Sequence, residues 1–490
     1  MKPNMLNNYP VTRRQMLEQS GFGLGSAALA YLLQSNEASA SNPHASRQTS
    51  DLSRRPGHFV GQAKSVILLF QNGGPSQMDM FDPKPELNKR HGQTVSIKDT
   101  NGKTEPLMGS KFKFQPYGKS GIEFSELASQ LGSVVDDLCV VRSMHTTDPN
   151  HPGATYMMCS GNRRPGRPTL GAWVTYGLGS ENQNLPAFVC LRHPSVFHSG
   201  GAMQLNNGWL PSIYRGTEIK YEGNPVLNLR PAVEQPKGVQ QNNLEFLARL
   251  NKRHQQKYPG ESELAARIQS YELAARMQLT AAKELSISDE TESIQKMYGI
   301  HDPTTADYGR QLLLARRMVE RGVRFVHVLA PHPHNSWDHH GDINNKLPGM
   351  CRRTDLPSAG LIRDLKQRGL LDETLVIWAG EFGRMPMSQN GNGRDHNMHG
   401  FTVLMAGGGF KSGYVHGATD ELGYASVEDR VSVPDLMATV LHQLGLDHDK
   451  LSYNVHGVEE TLTDSKVTSA KVVQNLIQKP GAMQPRGPVF

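Results

Sequence analysis

The sequence predicts an α/β fold with a mostly parallel central sheet and helices on both faces, built as one main domain. Three observations carry this. Short runs of apolar, β-branched and aromatic residues stand at 63–70, 323–330 and 374–379 without polar alternation, as strands buried on both faces require. Helical patterns precede the later runs, as in βαβ units. Each run opens into a polar cluster, and open α/β sheets place their sites where parallel strands end.

The first forty residues read as an address. Thr12-Arg-Arg-Gln-Met-Leu17 precedes a mildly apolar segment over 21–33, and Ala38-Ser-Ala40 supplies a small-x-small cleavage site. The pattern resembles a twin-arginine export signal, with an amphipathic helix as the alternative. The twin-arginine translocon is therefore an expected partner during export, and the periplasm or cell exterior the expected location. About 13 apolar residues are too few to span a bilayer, which predicts no stable membrane insertion after cleavage.

Residues 41–60 form a polar linker, 61–465 the domain and 466–490 a tail. Strand 63–70 ends at Asn72-Gly-Gly-Pro-Ser-Gln-Met-Asp79, where paired glycines either let the backbone approach a ligand or another strand, or make a plain tight turn. Residues 83–120 read as an insertion. A helix over 125–135 and a strand over 138–142 lead to Ser143-Met-His-Thr-Thr-Asp-Pro-Asn-His151 and a helix that ends at Gly161. Arg163, Arg164 and Arg167 make a basic loop that reads as solvated. A helix over 169–178 and a strand over 185–191 follow.

The stretch 194–300 reads as a second insertion, irregular to 238 and then carrying charged helical patterns at 242–258 and 261–285. An amphipathic helix over 307–321 feeds strand 323–330. Residues 401–406 make a further strand stopped by Gly407-Gly-Gly409. Val433-Pro-Asp435 then opens a helix that stops at Gly445.

Composition excludes some classes. The chain has 490 residues, 37% of them hydrophobic, with 48 Gly, 30 Pro and a formal net charge of +6, which describes a soluble, loop-rich globular protein. No dense Lys/Arg stripe with interleaved aromatics is present, so nucleic acid is not an expected partner. Cys139, Cys159, Cys190 and Cys351 show no CxxC spacing; buried thiols and one or two disulfides are both compatible with export.

Of the 20 His, seven fall within 327–340 and 395–399, where an even spread would put about 0.8. Asp338, His340, Glu381, His396 and His399 form a mixed N/O set on three strand-end loops. Such a set suits a divalent metal, Zn or Mn first and Ca as a third candidate. For any one His, a simple hydrogen-bonded loop residue is the alternative. His145, Asp148 and His151 complete a second metal site, hold an attacking water or make a capped turn. Arg384 binds an anionic substrate or pairs with a carboxylate.

The motifs Asn72-Gly-Gly-Pro-Ser-Gln-Met-Asp79, Gly322-Val-Arg-Phe-Val326, Trp337-Asp-His-His340, Gly369-Leu-Leu-Asp-Glu-Thr-Leu-Val376, Gly380-Glu-Phe-Gly-Arg384 and Asp395-His-Asn-Met-His399 resemble an exported bacterial family of domains of unknown function in the alkaline-phosphatase-like superfamily. The resemblance implies the three-layer sandwich of that superfamily, and a metal-dependent hydrolase acting on a small phosphate or sulfate ester. It implies metal ligands at Asp338, at His340 or His339, and at His396 or His399. Glu381 keeps a carboxylate, Phe382 replaces an imidazole, and Asn72 replaces an acid, with Asp79 the nearest carboxylate. The sulfatase nucleophile position falls on His151, where no Cys or Ser stands, so the formylglycine pattern is absent; Thr146 and Thr147 are nearby hydroxyls. Catalytic candidates are accordingly His151, Thr147 and Arg384. The rival reading is an exported binding or scaffold protein that keeps the fold without turnover; Asn72, Phe382 and the missing nucleophile favour it.

Overall fold

Among the described residues nine strands form the central sheet: β1 (Ser65–Phe70), β2 (Leu138–His145), β3 (Phe188–Leu191), β4 (Thr217–Ile219), β5 (Phe325–Leu329), β6 (Thr374–Ala379), β7 (Phe401–Ala406), β8 (Tyr414–His416) and β9 (Val431–Ser432). The computed structural model describes residues 52–95, 105–193, 199–219, 238–257, 268–269, 271–273, 286–331 and 336–478. The expected signal peptide, most of the 261–285 helical pattern and residues 479–490 lie outside the described residues.

The sheet order is β8-β2-β7-β6-β1-β5-β3-β4, with β9 also pairing β2. β1 is central: it pairs in parallel with β6, from Ser65↔Thr374 to Phe70↔Ala379, and with β5, from Val66↔Phe325 to Phe70↔Leu329. Among the described strands of this sheet only β7 runs against its neighbours, β6 and β2. Every residue of β1, β5, β6 and β7 is buried, which explains their continuous apolar runs. Each such Leu, Ile, Val or Phe contributes about 1.5–3 kcal/mol, and a charge there has no solvent face to turn to.

The three layers follow from strand alternation. Leu69, Val376 and Trp378 point to one face, where they meet Ser358 and Ile362 of a long helix, α4 (Ile343–Gln367). Val66, Phe325 and Phe188 share a register row on the opposite face. There the Phe188 ring lies against Gly171 of α2 (Leu170–Leu178). The other helices used below are α1 (His151–Ser160), α3 (Ala306–Glu320), α4 itself (Ile343–Gln367) and α5 (Val433–Gln443).

Local chemistry sets their ends. α1 stops at Gly161 with φ 68°, and α5 starts with a capping box in which Ser432 and Asp435 bond each other's backbone N–H. α4 departs from its sequence pattern. Pro348 and Pro357 lie inside it, each costing about 3 kcal/mol in an isolated helix, yet Leu347, Leu361, Ile362 and Leu365 are buried against the core and hold it together. The helix expected over 125–135 is instead two 3₁₀ turns flanking the short segment Ser129–Gly132.

Because β7 is reversed, its first residue, Phe401, stands opposite Met144 near the end of β2. The loops after β1, β2, β5 and β6 and the loop before β7 therefore meet along one edge of the sheet. Among the described residues no helix is long and apolar enough to cross a membrane.

Candidate metal centre

Four side chains from those loops converge. The ligand atoms of His151, Asp338, His340 and His396 all lie within 4.8 Å of one another. Asp338 is the hub: its Oδ1 is 2.9 Å from His340 Nε2 and 3.1 Å from His396 Nε2, and its Oδ2 is 3.2 Å from His151 Nε2. The Nε2 atoms of His340 and His396 are 2.9 Å apart.

The opposite ring nitrogens fix the tautomers. His151 Nδ1 donates to Glu381 Oε1 at 2.6 Å, His396 Nδ1 to the Pro149 carbonyl at 2.7 Å, and His340 Nδ1 to Gln389 Oε1. In the neutral rings all three Nε2 lone pairs therefore face one another and a carboxylate. That arrangement is repulsive unless a proton or a cation lies between them, and His151 Nε2 is buried with no hydrogen bond of its own. Three imidazole nitrogens and one carboxylate oxygen, each imidazole braced by an outer acceptor, are a donor set that fits a divalent metal.

Protons fill the gap in the absence of a cation. Burial opposes charge on His151, but Asp338 and Glu381 outweigh it and raise the ring to about 9. Asp338 is raised by burial and pulled far more strongly down by His151, His340, His396 and Arg384, to well below the usual carboxylate range. His340 is raised by its bond to Asp338, whereas burial lowers His396 against that same carboxylate.

A family model described as a protein of unknown function (DUF1501) matches residues 63–477. The chain belongs to the DUF1501 family. No curated protein matches it in sequence. Among solved structures it is similar to the lipoteichoic acid synthase LtaP from Listeria monocytogenes, at 10% identity over 81% of this chain and 76% of that one with a TM-score of 0.33. It is also similar to the PsFucS1 sulfatase from Pseudoalteromonas sp. (11%, 78% and 68%, TM-score 0.34) and to the alkaline phosphatase from the Antarctic bacterium TAB5 (11%, 79% and 99%, TM-score 0.32). At such scores the likeness assigns no chemistry to this chain.

In this DUF1501 protein several expected residues stand elsewhere than the sequence suggested. Glu381, expected as a ligand, is fully buried behind His151, with both oxygens accepting from Gly73 N–H at 2.9 and 3.1 Å. His399, also expected as a ligand, lies outside the cluster with its ring on Tyr424. His151, expected as a catalytic group, is inside it, at the first turn of α1. Thr147 is exposed and, with His145, lines a cavity that no cluster residue lines.

Arg384 is closed to substrate. It is fully buried, and its three guanidinium nitrogens donate to the carbonyls of Gly73, Gly74, Trp337 and Arg394 and to Asp338 Oδ1 at 2.6 Å. The carboxylate pair, rather than the anion clamp, is what the fold builds. Asp79 is likewise taken, in a buried bidentate pair with Arg394.

The Asn72-Gly-Gly turn makes these approaches. Gly74, at φ 73°, leaves no room for a Cβ, which would meet the Phe382 ring at 2.6 Å. Phe382 in turn packs 4.9 Å from the His151 ring and 4.4 Å from that of His396. Asn72 is fully buried, and neither of its amide atoms has a hydrogen-bond partner among the described residues. His339 is buried outside the cluster and lowered to about 4, by burial first and then by Arg384. Gln389, the Pro149 carbonyl and the Gly73 N–H were not expected from the sequence; only the glycine pair hinted at a close backbone approach.

All four cysteines are free and buried, and burial pushes the Cys139 thiol up to about 12. None is placed to act as a nucleophile.

Proposed function

We propose that this protein is an exported metal-dependent hydrolase of phosphate or sulfate esters, whose metal is held by His151, Asp338, His340 and His396. The observation that carries the proposal is the convergence of three Nε2 atoms on one carboxylate, with every Nδ1 already spent on an outer acceptor. Zn or Mn suits these donors better than Ca, which favours all-oxygen sites. A divalent ion there would lower the pKa of a bound water toward about 7 and polarise an ester oxygen, which accounts for a site without a hydroxyl or thiol nucleophile.

The chain's own residues do the rest. Glu381, Gln389 and the Pro149 carbonyl orient the imidazoles; Arg384 neutralises and positions Asp338. Phe382 walls off two of the rings. His340 keeps 35% of its side chain exposed against 10% for His151, so a small anionic ester reaches the centre from the His340 side. The twin-arginine-like N-terminus supports export to the periplasm or beyond.

The closure of Arg384 to substrate favours a second reading, a metal-holding binding or scaffold protein. Metal analysis of purified wild type beside Asp338→Asn, followed by a screen of phosphate and sulfate monoesters with Zn and Mn, separates the two. Bound metal lost in the variant together with ester turnover supports the hydrolase. Bound metal without turnover of any ester leaves the binding protein, and no metal in a folded wild type removes both.

A further inference from the structure

Asp338 stands at the apex of a three-residue turn, closed by the His339 N–H donating to the Trp337 carbonyl at 3.0 Å. The direction of its carboxylate is therefore set by where Trp337 and His339 are pinned. We propose that Gln71 and Tyr308 are positioning residues of the metal centre: they lock Trp337 and, through it, aim Asp338 at the three imidazoles. The proposal rests on the metal-site reading above and adds to it two residues outside the ligand cluster.

Trp337 is buried and held through three groups. Its indole N–H donates to Gln71 Oε1 at 3.1 Å, its backbone N–H donates to the Asn72 carbonyl at 3.1 Å, and its ring meets that of Trp378 edge-on with centroids 5.8 Å apart. Gln71 follows β1 directly, and its backbone N–H donates to the Ala379 carbonyl at 2.8 Å, continuing the pairing of β1 with β6. Its Nε2 donates to the Tyr308 hydroxyl at 2.9 Å and to the Leu69 carbonyl at 3.4 Å. A carbonyl only accepts and an indole N–H only donates, so one orientation of the amide satisfies both and a flipped amide breaks both. Tyr308 brings in α3, a helix of 15 residues, as the anchor. The other flank of the turn is pinned as well, since the His339 carbonyl accepts from the Arg394 N–H at 3.1 Å.

Packing alone does not call for this arrangement. Gln71, Trp337 and Tyr308 are all buried, and none of their side-chain polar atoms is left without a partner. Leu and Phe at the same places would fill the space without desolvating an amide, an indole and a phenol. What a satisfied polar network adds is a single geometry, and metal ligands need theirs held within about 0.5 Å.

Co(II), whose visible absorption reports ligand geometry, tests this in the full chain. The proteins compared are wild type, Gln71→Met, Tyr308→Phe and a control, Val189→Ala, in the buried strand β3, which carries no residue of the centre. Tyr308→Phe keeps the ring and the packing of α3, and it decides the question if Gln71→Met fails to fold. Both relay variants should bind Co(II) about 10-fold more weakly by chelator competition, with altered absorption bands, while circular dichroism stays that of wild type. Val189→Ala should lower Tm and leave affinity and bands unchanged. Relay variants with wild-type affinity and bands, or a control that moves both as far, overturn the proposal and leave the metal site standing. A folded wild type that binds no Co(II) overturns both.

Discussion

Glu381 Oε1 stands 2.6 Å from His151 Nδ1, and the carboxylate is fully buried. Its work is to hold one ring so that the other nitrogen points at Asp338. Glu381→Gln keeps an acceptor for the ring and removes the charge. Metal affinity should fall about 10–100-fold with little change in fold, as read by chelator competition and circular dichroism. Complete loss of metal in a folded variant would instead make Glu381 a direct ligand.

Metal binding should also depend on pH in a particular direction. The folded value of His151, about 9, lies above its unfolded value of ~6.5. Stabilisation from the protonated ring is thus complete below pH ~6.5 and lost as pH rises through about 9. In metal-free protein this group should lower Tm across that window. Metal needs the same ring deprotonated, so metal affinity should rise across the window with release of a proton. Calorimetry in two buffers of different ionisation heat reads that proton directly.

Arg384 should behave as part of the fold. Arg384→Lys cannot reproduce the fan of bonds to four carbonyls and Asp338. It should destabilise by about 3 kcal/mol or more, visible as a lower denaturation midpoint even without metal. A variant of unchanged stability with a raised KM would restore the substrate-clamp role.

Asn72 makes the opposite forecast. A buried amide with no partner costs about 1–3 kcal/mol, and Leu has the same number of side-chain heavy atoms with the same branching. Asn72→Leu should raise the Tm of metal-free protein. If it lowers Tm instead, the amide has a bound partner, and the metal-loaded protein should then lose activity too.

The parts of this fold that were readable in the sequence are those whose physics is local. The cores of β1, β5, β6 and β7 follow from burial on both faces, and α5 from its Pro434 start and Gly445 stop. α4 was not readable, because Pro348 and Pro357 break the helical pattern and only tertiary packing restores it. The edge strands Thr217–Ile219, Tyr414–His416 and Val431–Ser432 are too short to carry a period. At the site, Asp338, His340 and His396 were legible as a strand-end cluster. The exchange of places between Glu381 and His151 was not, since inner and outer positions differ by one hydrogen bond in space and not at all in spacing. The burial of Arg384 has the same cause: its partners are mostly backbone carbonyls, which leave no signature in sequence.

The reversed strand β7 has one more consequence. Since β6 ends and β7 begins at the same rim, the chain from Glu381 to Phe401 departs from and returns to neighbouring points without crossing the sheet. It carries Gln389, Arg394 and His396 on a detour outside the register of the central sheet, closed on itself by the antiparallel pairs Gly383↔Asn397 and Arg384↔His396. Changes of length at its exposed tip, residues 390–392, would reshape the mouth of the centre while the central sheet and the buried Arg384 and Arg394 stay in place, so the tip is where diversity can accumulate at the least risk to folding.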